Sequence, residues 1–205
     1  MSVVYSPKGK QIASGSVDQT VRLWDAESGQ AGPILKGHTH WVQSVAYSPK
    51  GKQIASGSSD KTVRLWDAHD GKAEHILEGH TNWVQSVTYS PSGEQIASGS
   101  LDNTVRLWDV ASGECLNVIQ EFSGGVFSVA WMELNGRQYL VTGSVDQSVR
   151  QWAIQKEPEG YQVKLLWSSK HDMLAVTDAL FEGVQGLSEM NARLLKQRGA
   201  VDKRE

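Results

Sequence analysis

The chain has 205 residues, enough for one domain with a sizeable core, and a formal net charge of −3. This charge balance gives no reason to expect a nucleic-acid-binding face, which requires clustered Lys and Arg. A single cysteine, Cys115, excludes an internal disulfide, and no apolar stretch approaches the about 18 residues of a membrane span. The first residues lack the pattern of a secretory signal peptide. We therefore expect a soluble protein of the cytoplasm or nucleus, or a piece of one.

The strongest pattern is the segment T-V-R-L-W-D, which occurs at 20–25, 62–67 and 104–109. A divergent fourth copy, S-V-R-Q-W-A, occupies 148–153. The tryptophans of the four copies are separated by 42, 42 and 44 positions. A period in this range indicates a repeat architecture, in which each unit buries its apolar faces against its neighbours.

The first complete repeat, 38–79, predicts four short strands in succession. Residues 42–47 (V-Q-S-V-A-Y) are rich in β-forming residues and contain neither Gly nor Pro. After a turn with Pro and Gly, residues 53–58 (Q-I-A-S-G-S) form a second strand, whose small side chains suit a close approach of two sheets. Residues 62–67 and 73–77 supply the third and fourth strands. Four short antiparallel strands per repeat correspond to one propeller blade.

We therefore predict an all-β fold, a partial β-propeller of about four four-stranded antiparallel blades, with a truncated first blade and a divergent fourth. The blades are expected at about 1–37, 38–79, 80–121 and 122–169. Residues 170–205 are predicted to be a C-terminal extension with a short helix at about 188–198, which has Ser188 as its N-cap and Gly199 as its C-cap. We expect this helix to cap the open side of blade four, with partner docking as the alternative.

Each repeat also carries a histidine, a serine or threonine, an aspartate and a tryptophan at fixed spacing. The complete sets are His38, Ser56, Asp60 and Trp66, and His80, Ser98, Asp102 and Trp108. The incomplete sets are Ser14, Asp18 and Trp24 in the first repeat, and Thr142, Asp146 and Trp152 in the fourth. With the Gly-His pair that opens each complete set and the terminal Trp-Asp pair, these residues resemble the WD40 repeat from residue 1 to about 168. The resemblance implies a hydrogen-bonded chain that ties the strands of each blade together.

Two other interpretations of these polar residues are less favourable. Ser56, His38 and Asp60 would suit a hydrolase triad, but the set recurs in successive blades and no oxyanion-hole element accompanies it. A metal site is disfavoured because the spacing of the histidines follows the repeat rather than tetrahedral ligation. The histidines concerned are His38, His40, His69, His75 and His80. We predict neither a catalytic site nor a cofactor or metal.

The fourth repeat departs most from the pattern. Glu121 and Phe122 stand where Gly-His is expected, and Ala153 replaces the aspartate after the tryptophan. The first repeat has no histidine, because its position precedes the first residue of the sequence. We expect the fourth blade to be the least rigid, unless Phe122 fills the place of the histidine by packing.

The resemblance implies a closed ring, usually of seven blades, and the sequence supplies about four. The favoured explanation is a fragment of a longer protein. Alternatives are pairing with a second chain that completes the ring and, less favoured, a tight four-bladed ring. The tail is also similar to the ends of fungal multidomain WD-repeat proteins that carry an NTPase module upstream. Until they are covered, both end blades should expose apolar faces.

Function is expected at the rim of loops around the central channel. On the WD40 pattern, the rim holds the loop after Gly-His and the turn before the aspartate. These positions are His40, Trp41, Asn82, Trp83, Val17, Ser59, Leu101 and Val145. Variable residues on a constant frame are typical of a binding surface, and exposed Trp is enriched at interaction hot spots. Packing of the two tryptophans between blades is the open alternative.

We therefore predict a non-catalytic protein–protein interaction scaffold built on WD40 repeats, which is a fragment or recognition module of a larger protein. Its partners are expected to be other proteins, further blades or a second chain, and neither nucleic acid nor a membrane. One alternative is a ligand-sensing regulatory propeller of a multidomain signalling NTPase. A propeller enzyme is a further alternative that the near-identical repeats disfavour, because active sites need asymmetry.

Overall fold

A computed structural model describes residues 2–157 and 160–169, which form four four-stranded sheets. Blade 1 contains β1 (Ser2–Tyr5), β2 (Gln11–Gly15), β3 (Val21–Asp25) and β4 (Ala31–Leu35). Blade 2 contains β5 (Val42–Tyr47), β6 (Gln53–Ser58), β7 (Val63–Asp67) and β8 (Ala73–Leu77). Blade 3 contains β9 (Val84–Tyr89), β10 (Gln95–Ser100), β11 (Val105–Asp109) and β12 (Cys115–Ile119). Blade 4 contains β13 (Val126–Leu134), β14 (Arg137–Ser144), β15 (Val149–Glu157) and β16 (Gly160–Ser168).

In each blade the strands follow one another in chain order and pair antiparallel, so the predicted all-β architecture of four blades is confirmed. The predicted strands 42–47, 53–58 and 73–77 coincide with β5, β6 and β8. The last strand, β16, runs from Gly160 to Ser168, within the predicted fourth blade. The predicted extension 170–205 and its helix lie outside the described residues.

A tight turn between the second and third strands of each blade depends on an aspartate. In blade 2, Asp60 Oδ1 accepts hydrogen bonds from Thr62 N at 3.0 Å and from Thr62 Oγ1 at 2.7 Å. Lys61, which lies between Asp60 and Thr62 in the turn, has a φ of 74°, in the left-handed region that such turns require. Because Oδ1 is used by the turn, the second carboxylate oxygen of Asp60 is left for contacts with the incoming loop.

Neighbouring blades pack through apolar seams that repeat from one blade to the next. In the seam between blades 2 and 3, Leu65 and Leu77 pack against Tyr89 and Trp108. The sheets approach so closely that a Cβ added at Gly57 would lie 2.7 Å from Val84 Cγ1. The same close approach occurs at two equivalent glycines, Gly15 and Gly99. The small side chains of the second strand are therefore needed for the seam to close.

Blade 1 has an uncovered face on the side away from blade 2. Val3 and Tyr5 are 71% and 64% exposed, whereas their counterparts in blade 2, Val45 and Tyr47, are 5% and 8% exposed. Within the described residues, blade 1 therefore forms no closed seam with blade 4, and the tight four-bladed ring is not formed.

Candidate interaction rim and its supporting hydrogen-bond networks

A continuous hydrogen-bonded chain crosses blade 2. Trp66 Nε1 donates to Ser56 Oγ at 2.8 Å, Ser56 Oγ lies 2.7 Å from His38 Nε2, and His38 Nδ1 lies 2.7 Å from Asp60 Oδ2. One proton assignment satisfies every atom: the Ser56 hydroxyl donates to Nε2, and the Nδ1–H of His38 donates to the carboxylate. This hydrogen-bonded network joins the second and third strands of the blade to the loop that begins at Gly37.

Blade 3 repeats this network almost without change. Trp108 Nε1 donates to Ser98 Oγ at 2.8 Å, and His80 bridges Ser98 Oγ and Asp102 Oδ2 at 2.7 and 2.8 Å. In addition, Thr81 N donates to Asp102 Oδ2 at 2.9 Å. Such a network makes the incoming loop rigid when every group is paired, and is costly when one partner is lost.

The carboxylates of the two complete networks are held in their ionised form. Partial burial of Asp60 disfavours the charged carboxylate, but the hydrogen bonds that it accepts from His38 and Thr62 outweigh this effect. The pKa of Asp60 consequently lies well below its usual value. The same balance, with His80 and Thr104 as donors, lowers the pKa of Asp102.

The distances within these networks would suit a nucleophilic triad, but their location does not. Ser56 is fully buried, and its Oγ already accepts the indole N–H of Trp66. The side chains of His38 and Asp60 are also buried. A substrate carbonyl would have to enter the blade to reach Ser56, so this geometry supports strand tethering rather than acyl transfer.

Blade 4 replaces the missing histidine by a different arrangement. Trp152 Nε1 still donates to Thr142 Oγ1, at 3.0 Å. Phe122 is buried, with its ring centroid 5.6 Å from that of Trp152. Arg150 lies over the Phe122 ring at 4.7 Å and donates through Nη1 to Asp146 Oδ2 at 3.0 Å. Phe122 therefore occupies the place of the histidine by packing, and the arginine pairs with the aspartate.

Blade 1, which has no histidine either, uses its arginine in the same way. Arg22 Nη2 donates to Asp18 Oδ2 at 2.8 Å, and Trp24 Nε1 donates to Ser14 Oγ at 2.9 Å. In blades 2 and 3 the equivalent arginines, Arg64 and Arg106, have no carboxylate within 4.0 Å among the described residues. Sequence reasoning missed these arginines, although one stands in all four V-R-x-W segments.

Three aromatic rings meet on the rim between blades 2 and 3. The ring of His40 lies 5.3 Å from that of Trp41 and 5.9 Å from that of Trp83, and the two indoles are 6.3 Å apart. Trp41 is 45% exposed and Trp83 is 37% exposed. The tryptophans thus contact each other and still present a large part of their surface. We refer to His40, Trp41 and Trp83 as the aromatic rim cluster.

Short hydrogen bonds fix the backbone of the aromatic rim cluster. Trp41 N donates to His40 Nδ1 at 2.9 Å, and Trp83 N donates to Asn82 Oδ1 at the same distance. The two different side chains therefore perform the same task, which explains how His and Asn share one position in the repeat. The backbone carbonyls of the two tryptophans also accept hydrogen bonds from the following turn. Trp41 O accepts from Ser59 N and Trp83 O accepts from Leu101 N, each at 2.9 Å.

The remaining rim positions divide into exposed and supporting residues. Val17 and Val145 are exposed, and Leu101 is partly exposed. Ser59 is buried and accepts a hydrogen bond from Gln43 Nε2 at 2.8 Å, so its side chain supports the rim from below. In blade 4, Gly125 takes the position of the tryptophan, and an added Cβ there would lie 2.6 Å from Leu101 Cδ2.

Two other kinds of site are absent from the described part of the chain. Residues 2–157 and 160–169 contain no group of three or more His, Cys, Asp or Glu side chains placed to hold a metal ion. They also contain no helix long and apolar enough to cross a membrane.

Comparison with known proteins gives one match over most of the chain and several short ones. The family model described as the IFT122 first beta-propeller matches residues 1–178. The "Probable serine/threonine-protein kinase PkwA" of Thermomonospora curvata is 44% identical over 44 residues, which are 22% of this chain and 6% of that protein. "Nuclear distribution protein PAC1" of Mycosarcoma maydis is 47% identical over 38 residues, 18% of this chain and 8% of that protein. "Ribosome assembly protein 4" of Chaetomium thermophilum is 46% identical over 43 residues, 20% of this chain and 8% of that protein.

The short matches are each about one repeat long, and the chain spans less than a tenth of the length of these relatives. The family match, by contrast, covers all sixteen strands described above. With the indole-to-carboxylate networks of blades 2 and 3, it shows that the chain belongs to the WD40 β-propeller family described by the IFT122 first propeller.

Proposed function

We propose that this chain is a non-catalytic protein–protein interaction scaffold whose principal contact surface is the aromatic rim cluster. WD40 propellers generally act in this way, and the relatives named above include nuclear distribution and ribosome assembly proteins. The observation that carries the proposal is the contact of two half-exposed indoles and one imidazole on a rim that is otherwise tightly hydrogen-bonded. We further propose an intracellular location and a role as one part of a larger protein.

Rigid aromatic side chains are efficient contact residues, because they bury much area and lose little conformational entropy on binding. The backbone bonds from Ser59 and Leu101 hold both tryptophans before a partner arrives. This preorganisation lowers the ordering cost of association. Val17 and Val145, at the equivalent turn positions of blades 1 and 4, are exposed apolar residues as well. A partner segment that contributes aliphatic or aromatic side chains is therefore the best match.

The two tryptophans supply the test. Partners recovered by the purified chain would be compared with those recovered by a Trp41→Ala, Trp83→Ala variant. We expect loss of the specific partners, because both indoles leave the contact surface. A Trp167→Ala variant is the matched control, since Trp167 is 47% exposed and lies on the last strand of blade 4, not in the loops of blades 2 and 3 that carry the aromatic rim cluster.

Folding of each variant would be checked by circular dichroism and thermal unfolding. Recovery of the same partners by the folded double variant would remove the aromatic rim cluster from the proposed function. Equal loss in the Trp167→Ala control would show that partner recovery does not depend on the aromatic rim cluster in particular, and would also count against it.

A further inference from the structure

The backbone groups at the aromatic rim cluster are already paired within the chain. Trp41 N donates to His40 Nδ1 and Trp83 N donates to Asn82 Oδ1, both at 2.9 Å. The carbonyls of both tryptophans accept hydrogen bonds from the turns that follow. An extended peptide therefore finds neither a free N–H nor an unpaired carbonyl on these tryptophans, and cannot bind them as an added strand. Recognition at this surface must depend on side chains.

The side chains of the cluster offer hydrogen-bond donors and no acceptor. Because Nδ1 of His40 accepts from Trp41 N, the proton of the neutral imidazole lies on Nε2. The single polar atom of an indole, Nε1, is also a donor. Five of the eight tryptophans use this donor within the described residues. Nε1 of Trp41 and of Trp83 and Nε2 of His40 have no partner there, so the cluster combines three rings with three N–H donors.

Exposed charge is scarce in the loops that surround the cluster. These loops are residues 38–42, 58–62, 80–84 and 100–104. Apart from histidines, their charged residues are Asp60, Lys61 and Asp102. Both aspartate side chains are buried and paired with histidines, which leaves Lys61 as the exposed charge of these segments. A strongly acidic or basic partner therefore gains little from ion pairs at this surface.

We infer that the aromatic rim cluster binds a proline-rich segment of a partner protein in the polyproline II conformation. The inference rests on the proposed function and adds the chemistry of the partner. Proline has no N–H, so each residue of such a segment offers one carbonyl acceptor and one apolar ring. These groups complement a surface that consists of aromatic rings and N–H donors.

The size of the cluster suits such a segment. The three ring centroids lie 5.3 to 6.3 Å apart, and one turn of a polyproline II helix is about 9 Å long, so a single turn reaches all three rings. The planes of the two indoles are inclined by 56°, so they face the segment from two directions. The conformation of a proline-rich segment is set before binding, which lowers the entropic cost of association.

Three substitutions separate the parts of the cluster. Trp41→Ala and Trp83→Ala each remove one indole. His40→Asn removes the third ring and its Nε2–H donor, but can keep the bond to Trp41 N, because Asn82 makes the equivalent bond in blade 3. Trp167→Ala is the matched control, since Trp167 is 47% exposed and lies on β16, outside the loops of the cluster.

Fluorescence anisotropy of labelled decaproline, titrated with the full chain, would measure the affinity. We expect saturable binding, about tenfold tighter than that of a Gly-Ser peptide of the same length. Trp41→Ala and Trp83→Ala should each weaken the binding of decaproline about tenfold, as expected for contact residues at the centre of a site. His40→Asn should cause a smaller loss and Trp167→Ala none. Circular dichroism and thermal unfolding would establish that each variant is folded.

The absence of saturable binding, or equal binding of the Gly-Ser peptide, would overturn the inference. Tighter binding of peptides in which every second proline is replaced by Glu or Lys would overturn it as well, because charge would then decide recognition. Unchanged affinity in the folded tryptophan variants would place the binding of decaproline outside the cluster. The proposed function is judged separately, by the partners that the Trp41→Ala, Trp83→Ala variant fails to recover. Loss of those partners in a chain that does not bind decaproline would exclude the proline-rich ligand and leave the scaffold role intact.

Discussion

Two tyrosines at equivalent positions of blades 2 and 3 differ in one hydrogen bond. Tyr47 Oη donates to Gln11 Oε1 of the preceding blade at 3.2 Å. For Tyr89 the equivalent glutamine is Gln53, which instead donates to Glu74 Oε2 at 2.6 Å. Among the described residues, no group lies within hydrogen-bonding distance of the buried Tyr89 Oη. Burial raises the pKa of Tyr47 to about 12, so its hydroxyl stays neutral at ordinary pH.

Tyr89→Phe should consequently stabilise the protein or leave its stability unchanged. A buried hydroxyl without a partner costs about 1–3 kcal/mol, and the substitution removes it while keeping the ring. Tyr47→Phe should lower the free energy of unfolding by about 1 kcal/mol, because it deletes a formed bond. Urea denaturation of both variants measures the difference. A larger loss for Tyr89→Phe than for Tyr47→Phe would contradict the assignment of an unsatisfied hydroxyl.

At the scale of single strands and turns, most of the structure followed from the repeat. The segments 42–47 and 53–58 predicted β5 and β6 because turn residues mark both of their ends. The set of His38, Ser56, Asp60 and Trp66 likewise indicated which polar atoms would meet. These features are local or recur at a fixed period, so a single sequence contains the information.

What could not be predicted depends on side-chain contacts that differ from one repeat to the next. Every copy of V-R-x-W contains an arginine, and its partner depends on whether a histidine is present elsewhere in the blade. Tyr89 is unpaired in the blade where Gln53 donates to Glu74, a residue of the variable outer strand. Ser59 was expected at the surface of the rim, but Gln43 covers it, and its position in the turn gave no sign of that contact.

The arginine of blade 4 allows a comparison at the scale of whole blades. Arg150 pairs with Asp146, and both side chains are buried. Arg150→Ala should therefore lower the free energy of unfolding by about 3 kcal/mol, because it leaves a buried carboxylate without its cation. Arg106→Ala in blade 3 is the matched control and should cost clearly less, since His80 already pairs with the aspartate there. Urea denaturation followed by tryptophan fluorescence provides the measurement. Equal losses for the two variants would show that the arginine has no special role in the blade that lacks a histidine.

For the molecule as a whole, the networks of successive blades connect stability to pH. Asp60, Asp102 and Asp146 all have a pKa below the usual value, because hydrogen-bond donors and cations outweigh the opposing effect of burial. In the unfolded chain each would titrate near 3.9, so protons bind more readily to the unfolded state at acidic pH. The stabilisation is therefore fully present above about pH 4 and is lost as the pH falls below that value toward the pKa of the folded state.

The expected result is an unfolding free energy that decreases steeply with acidification below about pH 4. Replacing one of these carboxylates should make that decrease shallower, even though the substitution lowers stability at neutral pH. Asp102→Asn suits this purpose, because it removes the titrating carboxylate while the amide oxygen can still accept the bond from Thr104 N in the turn. Urea midpoints of the wild type and the variant would be compared at a series of acidic pH values. If the two pH dependences were parallel, Asp102 would have the same pKa in the folded and unfolded chains, and its hydrogen bonds could not be a source of the acid sensitivity.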